Sequence, residues 1–347
     1  MIRINMFSEA DSVKGQGVGS AYNELMRLMR TRLVEDFYVT VNRYGQSDLT
    51  HYHTINPTYF TNSFSKNRGR KIGYVHFLPE TLEGSIKLPG FAKRVFYKYV
   101  IDFYDRMDQI VVVNPLFIDK LANYGINPEK VKYIPNFVSK DEFYEQTQAE
   151  KNAFRNKLGI PLDKFVIFGD GQVQERKGVE DFAKLAKANP DIQFIWAGGF
   201  SFGMITDGYG HLKDLVQNPP KNLKFTGIVD RKELVNYLNI ADLFLLPSFD
   251  ELFPMSVLEA FSCNTPVLLR DLELYKAIID GFYLQGRGFS ELNAQIKNAV
   301  HHPEILDRYK ILSKKASEQY SEENLANIWR NFYNNQYELG KKLGQIK

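Results

Sequence analysis

A single cysteine, Cys263, in 347 residues excludes an internal disulfide and any cysteine-based metal cluster. It lies in the apolar, small-residue run Ala260-Phe261-Ser262-Cys263, a setting for packing rather than reactivity. No apolar run approaches the roughly 20 residues a helix needs to cross a bilayer. The opening Met1-Ile2-Arg3-Ile4-Asn5 lacks the long apolar region of a secretory signal, so the expectation is folding in the cytosol. Histidines are scarce and do not show metal-ligand spacing. His51 and His53 alternate on a strand-like run and are expected at the surface or in a loop, and neither a metal nor a cofactor is expected. No internal repeat or low-complexity tract is visible.

What the chain does have is aromatic bulk, 26 Phe and 20 Tyr, with an otherwise ordinary soluble composition of 44% hydrophobic and 24% charged residues. Its length favours two domains over one core. The net charge of +3 is uneven. Residues 1–140 hold 19 Lys+Arg against 13 Asp+Glu, a balance of +6, and the remainder is −3. A basic first half suggests an anionic partner there.

Strand-like runs alternate with helical patterns, the signature of parallel α/β architecture. In the first half the runs are 2–7, 37–42, 71–77, 109–113 and 131–134. In the second they are 165–168, 193–197, 223–225, 243–246 and 266–269. The polar stretch 137–163 separates the two series, and ten strands are too many for one doubly wound sheet to be the better reading. The expected units are 1–140, 141–320 and a final helix within 321–347 that returns to the first unit. Ser321 should cap that helix, with Glu322 and Glu323 in its first turn and Leu325, Ile328, Trp329, Phe332 and Tyr333 at helical spacing.

The most specific segment is Phe249-Asp250-Glu251-Leu252-Phe253-Pro254-Met255-Ser256-Val257-Leu258-Glu259-Ala260. It follows the apolar run 243–246, so Glu251 falls in the loop at a strand's carboxyl end, where α/β sheets bind ligands. Pro254 suits the first helical turn, and Glu259 lies a turn further in. Carboxylates suit hydroxyl-rich ligands, and a helix start offers backbone N–H groups to phosphate. Two glutamates eight apart are by themselves ordinary surface charge; the flanking Phe-Pro and Leu-Glu-Ala make the pattern specific.

This segment resembles the Glu-x7-Glu motif of the large retaining glycosyltransferase family four, and the resemblance covers nearly the whole chain. It implies a GT-B fold, α/β, with two Rossmann-like domains across a cleft and the donor held mainly by the second. It further implies that Glu251 contacts the hydroxyls of the transferred sugar and Glu259 those of the ribose. Phe253 and Pro254 would shape the loop, and the amides near Met255 and Ser256 would face the diphosphate. Phe168-Gly169-Asp170-Gly171-Gln172-Val173-Gln174-Glu175-Arg176-Lys177-Gly178 matches the family's Gly-Arg…Lys-Gly segment at Lys177-Gly178 but has Gln172 at the arginine position. Lys177 would then neutralise the leaving diphosphate. Arg176 is the candidate for the missing charge, with a solvated loop cation as the equal alternative. Around Ile228 the backbone would hold the base.

In the first half, Lys14-Gly15-Gln16-Gly17-Val18-Gly19-Ser20 is a glycine-rich turn before a helix that could approach phosphate closely. It is not Gly-x-Gly-x-x-Gly, which argues against a dinucleotide site. By resemblance Gly17 lies beside the diphosphate and acceptor, and His76, at a strand end, near the sugar. Asn114 reads as a loop cap, and Tyr133-Ile134-Pro135-Asn136 as a structural turn. The segment 66–106 carries nine Lys+Arg against four Asp+Glu. Lys87, Phe91, Lys93, Arg94, Tyr97 and Lys98 could meet an anionic membrane; the competing reading is an amphipathic helix with Phe96, Tyr99 and Val100 in the core. No nucleic-acid module accompanies the charge.

Whole-chain likeness, including Met1–Ser8 and the glycine-rich turn, points within the family to bacterial synthases that add a second hexose to monoglucosyl-diacylglycerol. The implied partners are a UDP-sugar, with UDP-galactose favoured over UDP-glucose, a glycolipid acceptor and the inner face of the cell membrane. The alternatives are a soluble-acceptor or wall-polysaccharide transferase and a non-catalytic membrane-bound regulator on the same scaffold.

Overall fold

The structure, a computed structural model, describes residues 1–9, 17–79, 90–200 and 209–346. The first half builds a six-stranded, wholly parallel sheet from β1 (Ile2–Phe7), β2 (Phe37–Val41), β3 (Leu49–Tyr52), β4 (Arg70–Val75), β5 (Gln109–Val112) and β6 (Val131–Tyr133), in the order β2-β1-β3-β4-β5-β6. The second half builds another from β7 (Val166–Asp170), β8 (Gln193–Ala197), β9 (Leu223–Gly227), β10 (Leu243–Leu246), β11 (Val267–Arg270) and β12 (Leu284–Gly286), in the order β12-β11-β10-β7-β8-β9. Apart from β2 and β3, which the loop 42–48 joins, the strands of each series connect through helices, because parallel neighbours require crossovers. β3 and β12 are additions to the ten strands expected. One is half polar and the other three residues long, so neither has a readable apolar run.

Sheet order places the ligand crevices. In the second sheet the strand order reverses between β7 and β10, and in the first between β1 and β3; parallel sheets bind ligands beyond the carboxyl ends of strands at such points.

The last helix, Glu322–Lys342, packs on β3 and β4 of the first sheet. Its cap is as expected, the Ser321 side chain accepting from Asn324 N. The buried Glu322 ties its start to the first half, accepting from Thr31 Oγ1 at 2.8 Å and Ser139 Oγ at 2.9 Å. Leu325, Trp329, Phe332 and Tyr333 are buried, but Ile328 is exposed, since the buried stripe of the helix passes beside it.

His51 and His53 are not at the surface. Both are buried, His51 packed between the first sheet and this helix with its Nδ1 2.9 Å from Tyr333 Oη, and His53 against Tyr22 and Tyr74. The expectation fails because β3, which carries His51 and runs into His53, is an interior strand, covered at His51 by a helix nearly 300 residues later in the chain.

In the helix Gly90–Asp105 both readings of the basic segment have a physical place. Val100 is buried, and Phe96 and Tyr99 pack against the core. The opposite face exposes Phe91 (84%) and Val95 (55%) beside Arg94 and Lys98. Lys98 pairs with Asp102 at 3.0 Å, and Lys93 lies over the Tyr97 ring, so less free charge is offered than the sequence suggests. Lys87 lies outside the described residues.

Candidate active site

The fully buried β10 carries the chain to the second sheet's carboxyl edge, where Glu251 enters in a loop. Pro254 stands at the cap of the helix Met255–Ser262, one position ahead of the first turn where it was expected. Across the switch point, the chain leaving β7 makes a short 3-10 turn, Glu175–Lys177, and ends it on Gly178 at φ 69°. A Cβ there would come within 2.2 Å of Pro247 O, so only glycine lets this turn lie against the β10 loop. Lys177 Nζ consequently lies 2.5 Å from Glu251 Oε1. Arg176 Nη1 is 3.6 Å from Glu251 Oε2 and donates to Asp250 O at 2.6 Å. The cation proposed for the diphosphate is therefore committed to the Glu251 loop.

Burial raises the proton affinity of the Glu251 carboxyl, but Lys177 and Arg176 overcome it and leave the group below the usual carboxylate range, hence ionised. Glu259, buried in the helix, is drawn the other way. Desolvation lifts it despite Arg231, whose Nη1 donates to Glu259 Oε1 at 2.7 Å. Arg231 also bonds Glu142 at 2.8 Å and Glu24 of the first half, and lies over the Phe143 ring. One guanidinium thus gathers three carboxylates, and burial pushes Glu24 up to about 7. Asp170, at the end of β7, is also buried. Desolvation and then Glu259 push it up to about 7, against Ser256 and Lys177. Its Oδ1 has no hydrogen-bond partner.

Gln172 follows Gly171, half-buried. Ile228 is exposed (53%) at the end of β9 and sits over Gly199, where a Cβ would meet its Cγ1 at 3.1 Å, leaving an open apolar shelf. Phe253 and Met255 are buried. Gly17 begins the helix Gly17–Thr31, whereas Lys14, Gly15 and Gln16 lie outside the described residues.

From the first half, His76 directly follows β4, stacked on Tyr74 at 4.4 Å, its Nε2 buried without a partner. Burial lowers it to about 3, so it is neutral. Asn114 caps Leu116 N through Oδ1, as the sequence suggested. Its amide also crosses to the second half, donating to Leu252 O at 3.2 Å and Leu274 O at 2.9 Å. Asn136 Nδ2 reaches Phe253 O at 3.1 Å. Two amides of one half thus hold the Glu251 loop of the other. The functional candidates missed in the sequence are Asp170, Arg231 and Glu24. An acid at a strand's carboxyl end between two glycines marks Asp170, but Arg231 and Glu24 have no local signature.

Among the described residues no group of three or more His, Cys, Asp or Glu is arranged to hold a metal ion, and no helix is long and apolar enough to cross a membrane. Buried acids, a paired lysine and a helix start at a switch point suit a phosphorylated, hydroxyl-rich ligand.

Comparison with known proteins gives the class. Residues 150–319 match the model "Glycosyl transferases group 1" and residues 20–142 the model "Glycosyltransferase Family 4". The chain belongs to family four of the GT-B glycosyltransferases. It is 50% identical over 98% of its length, and 91% of the relative's, to the alpha-galactosylglucosyldiacylglycerol synthase of Streptococcus pneumoniae. It is 25% identical to the processive diacylglycerol alpha-glucosyltransferase of Acholeplasma laidlawii, over 92% of this chain and 96% of that one. Among solved structures, Anabaena HepE in complex with UDP and glucose shares the fold at a TM-score of 0.78 and 15% identity, over 96% of this chain and 100% of that one.

Proposed function

We propose that the protein is a retaining hexosyltransferase that moves a hexose, galactose in preference to glucose, from a UDP-sugar to monoglucosyl-diacylglycerol, making a diglycosyl-diacylglycerol membrane glycolipid. The Lys177–Glu251 pair at the second sheet's switch point carries the donor half of this reading. The half-identical synthase, matched along almost the whole chain, supports the acceptor half. UDP as the nucleotide is in keeping with the HepE complex.

In this reading residues 141–320 hold the donor, and 1–140 with the returning helix present the acceptor. Glu251 orients the sugar hydroxyls and Glu259 the ribose. Ile228 offers its shelf to the base. Lys177 and the amides at Met255 and Ser256 take up charge as the diphosphate leaves, the preorganised stabilisation that an oxocarbenium-like displacement needs. Retention follows if the acceptor attacks from the leaving-group face. His76, neutral and unpartnered at Nε2, is placed to hydrogen-bond a sugar hydroxyl. The exposed face of Phe91, Arg94, Val95 and Lys98 would rest on the anionic inner leaflet, where each basic residue contributes about 1 kcal/mol.

The test is transfer from labelled UDP-galactose and UDP-glucose to monoglucosyl-diacylglycerol in vesicles, with analysis of the anomeric configuration. Product from UDP-galactose supports the reading. Product from UDP-glucose alone moves it to a diglucosyl-lipid synthase, a role the Acholeplasma relative makes the runner-up. No lipid product, with transfer to a soluble sugar, defeats the acceptor assignment.

A further inference from the structure

We propose that Asp170 is a proton-carrying residue of the donor site. Its carboxyl takes one proton from solvent when the nucleoside diphosphate enters, holds it in a hydrogen bond donated to that anion, and returns it when the nucleotide leaves. This rests on the reading of the site as a nucleoside-diphosphate site.

The backbone around Asp170 is fixed. Trp196 Nε1 donates to Gly171 O at 3.1 Å, and Gly171 N donates to Ala197 O at 2.9 Å. Gly198 lies so close to Gly171 that a Cβ on it would fall 1.9 Å from Gly171 O. On this fixed backbone the Asp170 side chain is buried.

The charged groups facing it come from three elements. Lys177 lies in the turn after β7, Glu251 in the loop after β10, and Glu259 in the following helix, with Ser256 of that helix also near the carboxyl. Each neighbouring cation is already engaged, Lys177 and Arg176 with Glu251, and Arg231 with Glu259. Asp170 alone of the three acids has no ion-pair partner among the described residues, and its Oδ1 is buried and unpaired.

An ionised carboxylate there would repel the diphosphate that the site is built to take. A neutral carboxylic acid supplies a donor instead. Each negative charge brought nearby favours the protonated form further. Gln172 fits the same plan, since it places a neutral donor where the family carries an arginine. Gln172, two positions on, and a protonated Asp170 would both offer neutral donors to the diphosphate.

The test is calorimetric titration of the full-length protein with UDP at pH 7 and pH 8, in buffers of different ionisation enthalpy, for wild type and Asp170→Asn. The terminal phosphate of UDP, with a pKa of about 6, is nearly fully ionised at both values, and the variant subtracts what remains. Wild type should take up protons on binding, more at pH 8 than at pH 7 and approaching one. Its UDP affinity should fall up to about tenfold over that unit. Asp170→Asn, uncharged and still a donor, should lose both the uptake and the pH dependence while binding UDP at pH 8 at least as tightly as wild type does.

UDP binding by wild type without proton uptake overturns the inference and leaves the donor site standing. So does loss of UDP binding in a folded Asp170→Asn, because that shows the ionised form is the one needed. No UDP binding by wild type at either pH removes the donor-site reading and this inference together.

Discussion

The two switch points lie in parallel sheets of different strand order and are furnished in opposite ways. At the second, between β7 and β10, Asp170, Lys177, Arg176, Glu251, Glu259 and Arg231 form a dense, mostly paired charge network. At the first, between β1 and β3, stand neutral rings. His53 follows β3, 4.1 Å from His51 and 5.8 Å from His76, which stacks on Tyr74. Burial holds all three histidines uncharged, His51 and His76 at about 3 and His53 well below the usual value. A charged half suits a nucleoside diphosphate, and a neutral half suits a sugar headgroup that carries no charge. The helix Gly90–Asp105, with three cations against two acids, places part of the basic charge of residues 1–140 away from these rings.

The hardest way to break the charged half is Lys177→Ala. In the proposed reading it strips the leaving group of its cation, and it leaves Glu251 a buried anion with only Arg176 near it. Turnover should fall by about 10²–10³, and stability by about 3 kcal/mol. Adding Glu251→Gln should recover much of the stability and none of the turnover, as read by thermal unfolding beside the transfer assay. Turnover near normal in the single variant would remove Lys177 from the leaving-group role.

Next in size is the guanidinium that links the halves. Arg231→Met and Glu259→Ala should each weaken UDP binding by roughly tenfold, or about 1.4 kcal/mol, in calorimetry. Arg231→Met should in addition lower unfolding cooperativity between the halves, since Glu24 loses its partner. Unchanged UDP affinity in Glu259→Ala would count against the ribose role.

The pH dependence of stability sharpens the contrast, because the two regions act with opposite sign. A histidine held neutral in the fold binds its proton only when unfolded, so its contribution is complete above about pH 6.5. It is lost as pH falls toward the folded values near 3. Asp170 and Glu24, lifted to about 7, bind protons in the fold that the unfolded chain releases above about pH 4. Their contribution is complete at low pH and lost as pH rises through neutrality. Each group that titrates in only one state changes stability by about 1.4 kcal/mol per pH unit. Between pH 5 and 6.5 the wild-type slope is the difference of the two sets. His53→Phe should make stability rise less steeply with pH, and Asp170→Asn more steeply. Parallel curves for all three proteins would show that these groups are not held as described.

The smallest effect on the enzyme itself should come from the outer helix. Phe91→Ser combined with Arg94→Ser should reduce sedimentation with anionic vesicles several-fold at low salt while leaving UDP affinity unchanged. Charges screened within about 8 Å at physiological ionic strength make the difference narrower there. Equal sedimentation of variant and wild type at low salt would move the membrane contact elsewhere.

Much of the scaffold was legible because it is written locally. Apolar runs marked ten strands, Ser321 marked a helix start, and a buried strand followed by Phe-Asp-Glu-Leu-Phe-Pro fixed Glu251 in a loop and Glu259 in a helix. The strand-like run around His51 and His53 was visible, but Thr50 and His51 break the apolar pattern, so β3 was not counted among the core strands and two buried histidines looked like surface. What only the tertiary structure decided is which groups share a space. Glu24 meets Arg231 across 207 positions, Asn114 reaches Leu252 across 138, and Asn136 reaches Phe253 across 117. Periodicity reports which way a side chain points relative to its own element and carries nothing about the partner it will find there. The sequence by itself therefore determined two parallel sheets and the placement of the motif residues on them. The pairing of Arg231 with three acids, the lone carboxyl of Asp170 and the neutrality of His76 came from desolvation and charge brought together by folding, which no local stretch of chain encodes.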